Sequence, residues 1–263
     1  RSLDEPRTLT PVGADTQTGS DAIARVFGAR VYVVNRFGGD NLQVLDATRD
    51  FATVSQCSTG PGSNPNDIAF VSGRKAYVPL YGSGRLLVVN PNPSPDCSDF
   101  VLGSIDLSSY GDGDGIPEMS QAAVVGNRVY VTLQRLANFI PASQGAVVAI
   151  DVATDTVTDV IELTGKNPFS QTNGLTVAGD SLYLAEVGGF GESDGGIEKV
   201  DAFQSSFQGG EFDPFLTGKV AMKIDGNGFI NSIVQYAPQL RFEVVAPPAP
   251  PGKTSITWSG GFS

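Results

Sequence analysis

A chain of 263 residues with 40% apolar and 17% charged side chains is long enough to bury a sizeable core and too apolar to stay disordered. Its formal charge of −11 repels phosphate backbones and argues against nucleic acid as a partner, and no run approaches the ~18 consecutive apolar residues of a membrane span. It contains no histidine, so Ser-His-Asp, Cys-His and His-ligated zinc chemistry are excluded within this chain, while carboxylate, lysine and tyrosine chemistry remain open.

Residues 1–20 are Pro- and Thr-rich and read as an N-terminal extension, with residues 8–12 as a candidate closing strand. From 21 to 263 one pattern recurs. An apolar stretch reaches a glycine, a short turn follows, and a second apolar stretch begins. The copies centre on Gly28, Gly73, Gly126, Gly179 and Gly226, spaced by 45, 53, 53 and 47 residues. Tyr32, Tyr77, Tyr130, Tyr183 and Ile230 stand four residues after each glycine. A polar loop and a third apolar run come next, ending at Asp46, Asn90, Asp151, Asp201 and Ala246, and a fourth run often follows. Apolar and polar residues alternate with period 2, and no useful helical period appears. Four short strands in a unit of about 45 residues is the period of a propeller blade.

The expected fold is therefore all-β, a β-propeller of four-stranded antiparallel blades starting near 22, 67, 121, 174 and 220. Five blades are visible, and a longer parent chain would carry six or seven. Each repeat glycine is expected at a tight hairpin that needs positive φ. The four tyrosines are expected to pack between neighbouring blades, with their hydroxyls near a polar edge. Residues 247–251, Pro-Pro-Ala-Pro-Pro, read as a stiff loop in the last blade or as a linker.

The runs VYVVNRFGGDNLQVLD (31–46) and AYVPLYGSGRLLVVN (76–90) resemble the YVTN-type β-propeller repeat. The resemblance covers most of residues 20–260 and weakens in the fifth copy. It implies a propeller fold and a place on a bacterial or archaeal surface or in a periplasm. It implies no reaction, because function sits in sites grafted on folds.

In an up-and-down blade, the loop before the first strand and the loop between the second and third strands share one face. The long segments 59–66, 108–121, 134–145, 165–173 and 187–196 fall mainly there, which makes that face the default binding surface. Asp21, Asp67, Gln121 and Asn173 precede the first strands and are expected to ring the channel mouth, where they would hold a small polar ligand or, more plainly, cap turns and bind water. The run Gly111-Asp112-Gly113-Asp114-Gly115-Ile116-Pro117-Glu118 offers oxygen ligands on a flexible backbone, as calcium loops do. It departs from the EF-hand pattern at Ile116, and a solvated turn is the plain alternative. Glu186 with Asp194 forms a second acidic cluster. Cys57 and Cys97 lie about one repeat apart, which puts them close together on the outer side of adjacent blades and predicts a disulfide, the alternative being buried free thiols.

Two functions compete. The first is a non-catalytic binding or scaffolding module, secreted, periplasmic or on the cell surface, contacting a protein, a glycan or neighbouring subunits through the long-loop face, with no cofactor. The second is a calcium-dependent propeller hydrolase or lactonase using Asp112, Asp114, Glu118, Glu186 and Asp194.

Overall fold

The computed structural model describes residues 18–169, 175–179 and 181–201. The chain divides into two units, residues 1–200 and 201–263. Four antiparallel sheets follow one another as the blades of a β-propeller. Blade 1 contains β1 (Ala22–Phe27), β2 (Arg30–Asn35), β3 (Asn41–Asp46) and β4 (Ala52–Ser58), paired in that order. Blade 2 contains β5 (Ala69–Ser72), β6 (Lys75–Val78), β7 (Arg85–Val89) and β8 (Val101–Asp106). Blade 3 begins with β9 (Met119–Val125) and β10 (Arg128–Leu133). A small hairpin, β11 (Leu136–Ala137) with β12 (Ile140–Pro141), is inserted before β13 (Ala146–Asp151) and β14 (Thr156–Glu162). Blade 4 is described over β15 (Leu175–Ala178), β16 (Ser181–Glu186) and β17 (Gly196–Asp201). The fifth repeat, residues 8–12 and the proline run lie outside the described residues.

Composition follows position within a blade. The middle strands are covered on both faces, so their sequences run apolar almost without alternation. All six residues of β13 and the last four of β2 are buried. The outer strand β4 instead alternates exposed and buried positions along its last four residues, from Ser55 to Ser58. The first strands lie side by side, with β9 packed beside both β5 and β15.

Gly28 and Gly126 have φ of 60° at the first central position of two-residue hairpins, as the type II′ turn requires. Gly73 departs from this expectation. The register of its hairpin shifts between Phe70 and Ser72, the strands are only four residues long, and its φ is not in the left-handed region. Tyr32, Tyr77 and Tyr130 are fully buried. Tyr183 is 39% exposed, so the expectation of four equivalent packed tyrosines holds for three.

The seam between blades 1 and 2 carries both aromatic and covalent links. Phe27 stacks on Phe70 at 4.7 Å between ring centroids, and Tyr32 tilts against the same ring at 4.6 Å. Cys57, on the outer strand of blade 1, is bonded to Cys97 in the loop between β7 and β8 of blade 2, with Cα atoms 5.6 Å apart. The expected disulfide is thus formed between adjacent blades.

Candidate functional site

The strand order puts the connections 35–41, 78–85, 133–146 and 186–196 on one face, together with the linkers that carry the chain from one blade to the next. Of the residues expected at the channel mouth, Asp21 stands just before β1, Asp67 on the linker before β5 and Gln121 inside β9. Asp67 is buried in the linker before β5. It accepts a hydrogen bond from Arg25 Nε of β1 at 2.8 Å, from its neighbour Ile68 N at 2.9 Å and from Ala122 N of β9 at 3.2 Å. One carboxylate therefore ties the first strands of three successive blades. Burial pushes its pKa up, while the Arg25 charge and the two N–H donors act in the opposite direction.

Asp21 serves a neighbouring bridge. Its carboxylate and its carbonyl oxygen both accept from the buried Arg36, the carbonyl at 2.7 Å. The same guanidinium donates to Asn66 on the linker to blade 2 at 2.8 Å. The backbone of Gln121 exchanges hydrogen bonds with the Thr132 hydroxyl across β9 and β10. Asn173 lies outside the described residues.

The carboxylates considered for calcium fall into two groups on different blades. Glu118 is buried at the entry to blade 3, with φ of 44°, and accepts from Leu136 N at 2.8 Å. Burial raises its pKa to about 7, the Leu136 bond opposes the rise, and the charges of Asp114 and Asp112 add to it. Asp114 accepts from Ile116 N at 2.7 Å, and Asp112 Oδ1 is buried without a hydrogen-bond partner. Burial, and then the charge of Glu118, raise the Tyr81 pKa. In blade 4, Asp194 accepts from Gly189 N at 2.8 Å, a bond that lowers its pKa, and Lys166 Nζ lies 3.7 Å from it. Glu186 is buried at the end of β16, over Gly165, where an added Cβ would collide with its carboxylate. Burial, and then the adjacent Glu198 carboxylate, push Glu186 up to about 7. Among the described residues, no three Cys, Asp or Glu side chains converge as a metal-holding group.

Sequence reasoning passed over several residues that matter here. Arg25 and Arg36 carry no signal until the strands are paired, because their partners lie 42 and 30 positions away. Glu198 accepts from Thr164 N at 3.0 Å and from Gly165 N at 3.4 Å, and only the fold brings it to Glu186. The most prominent omission is Phe37, Phe139 and Phe190. They stand in the connections between second and third strands of blades 1, 3 and 4, exposed by 82%, 80% and fully. A signal was present for two of them, a lone aromatic beside consecutive glycines in a loop: Phe37-Gly38-Gly39 and Gly188-Gly189-Phe190-Gly191.

The chain matches no protein-family model and no curated protein. It is similar in fold to a solved structure of Kuenenia stuttgartiensis hydrazine synthase, at 16% identity and a TM-score of 0.52, over 68% of this chain and 44% of that one. It is also similar to the Pan2 WD40 domain of Neurospora crassa, at 10% identity and a TM-score of 0.50, over 70% and 49%. The chain thus spans less than half of either neighbour. At such identities the likeness shows the fold alone, which agrees with the blades described above.

Proposed function

We propose that this chain is a non-catalytic, extracytoplasmic β-propeller that binds or scaffolds a protein partner through its long-loop face. The observation that carries the reading is a division of labour on that face. Its buried polar groups, Asp67, Arg36 and Asn66, bond blade to blade, while large aromatic side chains project from the loops at positions where the fold makes no use of them. The Cys57–Cys97 bond supports an oxidising compartment, since disulfides persist mainly in exported proteins. Among the described residues no helix is long and apolar enough to cross a membrane. The YVTN-like runs at 31–46 and 76–90 support a surface or periplasmic location.

A calcium-dependent hydrolase is the second reading. In its favour, the buried Asp112 Oδ1 has no hydrogen-bond partner and sits on the same loop as Asp114 and Glu118. A hydrolysis assay with lactones and aryl esters, run with calcium and with chelator, separates the two. The proposed function expects no turnover above buffer. Turnover that chelator abolishes, and that D112N and E118Q each remove, would overturn it.

A further inference from the structure

We propose that Phe37, Phe139 and Phe190 form the contact points for a basic protein surface. This rests on the reading of the long-loop face as a binding face, and it adds the chemistry of the partner. The three rings occupy equivalent connections, between second and third strands, so the antiparallel order of each blade brings them to the same face. Each stands at the tip of a defined turn. Phe37 lies in a turn closed by the Gly39 N to Arg36 O bond at 2.7 Å, and Phe190 in one closed by Glu192 N to Gly189 O at 3.1 Å. Phe139 is the second central residue of the β11–β12 hairpin, where it has φ of 66° after Asn138 at 51°. A bulky side chain is disfavoured there, and glycine would meet the turn at lower cost. An aromatic kept in a strained backbone position at a loop tip, in contact with water, points to a role outside the fold.

Charge identifies the partner. The cations on these connections are already engaged, Arg36 with Asp21 and Asn66 and Arg135 with Glu162 at 2.9 Å, and Lys166 on the linker to blade 4 pairs with Asp194. Glu192 stands exposed on the connection that carries Phe190, Asp114 stands exposed on the linker before β9 on the same face, and the whole chain carries −11. A face of aromatic rings set among carboxylates attracts guanidinium and ammonium groups by both Coulomb and cation–π terms, and it repels anionic lipid and nucleic acid. A partner presenting Arg or Lys beside apolar side chains satisfies the rings and the carboxylates together.

The probes are a short peptide alternating Arg and Leu, its Arg/Gly counterpart and a chitin oligosaccharide, each titrated calorimetrically into the purified chain. The Arg/Leu peptide is expected to bind saturably and more tightly than the Arg/Gly peptide. The combined F37S, F139S and F190S variant is expected to weaken it by at least about tenfold, with an unchanged melting temperature. The D114N, E192Q variant is expected to lessen its salt dependence, and V101S with L102S, on the exposed outer strand of blade 2, to leave binding unchanged. Absence of saturable peptide binding, or binding that the triple phenylalanine variant leaves intact, would overturn the inference. So would oligosaccharide binding that the triple variant abolishes, which would assign the rings to a glycan. Peptide binding elsewhere on the chain would defeat only the assignment to the rings, whereas chelator-sensitive turnover would defeat the functional reading beneath it.

Discussion

Asp67, on the linker into blade 2, and Glu186, at the end of the second strand of blade 4 over the linker residue Gly165, are both buried carboxylates, and the two are provided for in opposite ways. Asp67 meets a guanidinium and two backbone N–H groups. Glu186 meets the N–H of Gly165 and a second carboxylate, Glu198, and its Oε1 has no hydrogen-bond partner. Burial raises the pKa at both places, but the neighbours oppose the rise at Asp67 and mostly reinforce it at Glu186. Two carboxylates buried beside blade linkers therefore serve as an electrostatic anchor in one blade and as a proton-holding site in another. What differs is the charge of the neighbours, which no strand pattern records.

The largest effect is expected from cutting the covalent link at the first of these seams. The Cys57–Cys97 bond closes a loop of 40 residues, and loop-closure entropy puts its contribution at about 4 kcal/mol. Replacing both cysteines with alanine should lower the urea midpoint accordingly without changing the circular dichroism of the folded state. An unchanged midpoint would mean that the polar and aromatic contacts hold blades 1 and 2 together unaided. The next effect in size is expected at Asp67. D67A leaves Arg25 without its carboxylate and the N–H groups of Ile68 and Ala122 without this acceptor, a loss of about 3 kcal/mol. D67N retains an acceptor oxygen and should lose less. Equal losses in chemical denaturation would assign the anchor to charge rather than to hydrogen-bond geometry.

Much of the architecture was legible because a blade repeats. Gly28 and Gly126 mark hairpins, and the apolar runs of β2, β3, β10 and β13 mark strands covered on both faces. The disulfide could be read from the same period, since one repeat of separation brings equivalent parts of neighbouring blades together. The site was less legible. Asp67 was singled out for its place before a first strand, but its partners Arg25 and Ala122 are set by the packing of blades and lie 42 and 55 residues away. The acidic residues stood out by type, whereas their hydrogen bonds to Leu136, Ile116 and Gly189 depend on loop conformation. Phe37, Phe139 and Phe190 read as ordinary apolar residues until their exposure was known, because hydrophobicity in a sequence normally signals burial.

The smallest effect separates the two carboxylates most sharply, because it appears as a pH dependence. A folded-state pKa of about 7 for Glu186 lies above its unfolded value, so the native state holds a proton that the unfolded chain has released. The stability from this group is fully present below the ordinary glutamate range and is lost as pH rises toward 7, after which it stays flat. Asp46, held down at about 2 mainly by its hydrogen bonds from Thr48, behaves oppositely and loses its contribution only as pH falls below the usual aspartate range. E186Q removes the cost of burying a charge beside Glu198. It should flatten the fall in stability between about pH 5 and pH 7 and stabilise the chain above neutrality by on the order of 2 kcal/mol. Glu118 titrates in the same window, so E118Q is the necessary control and should flatten a separate part of the slope. Denaturation midpoints for the two single variants and the double variant, taken across that range, decide the matter. Additive changes would assign independent protons to blades 3 and 4. An E186Q profile that runs parallel to the parent would show that Glu186 is ionised in the folded chain, and that the entry to blade 4 is compensated by groups other than Gly165 and Glu198.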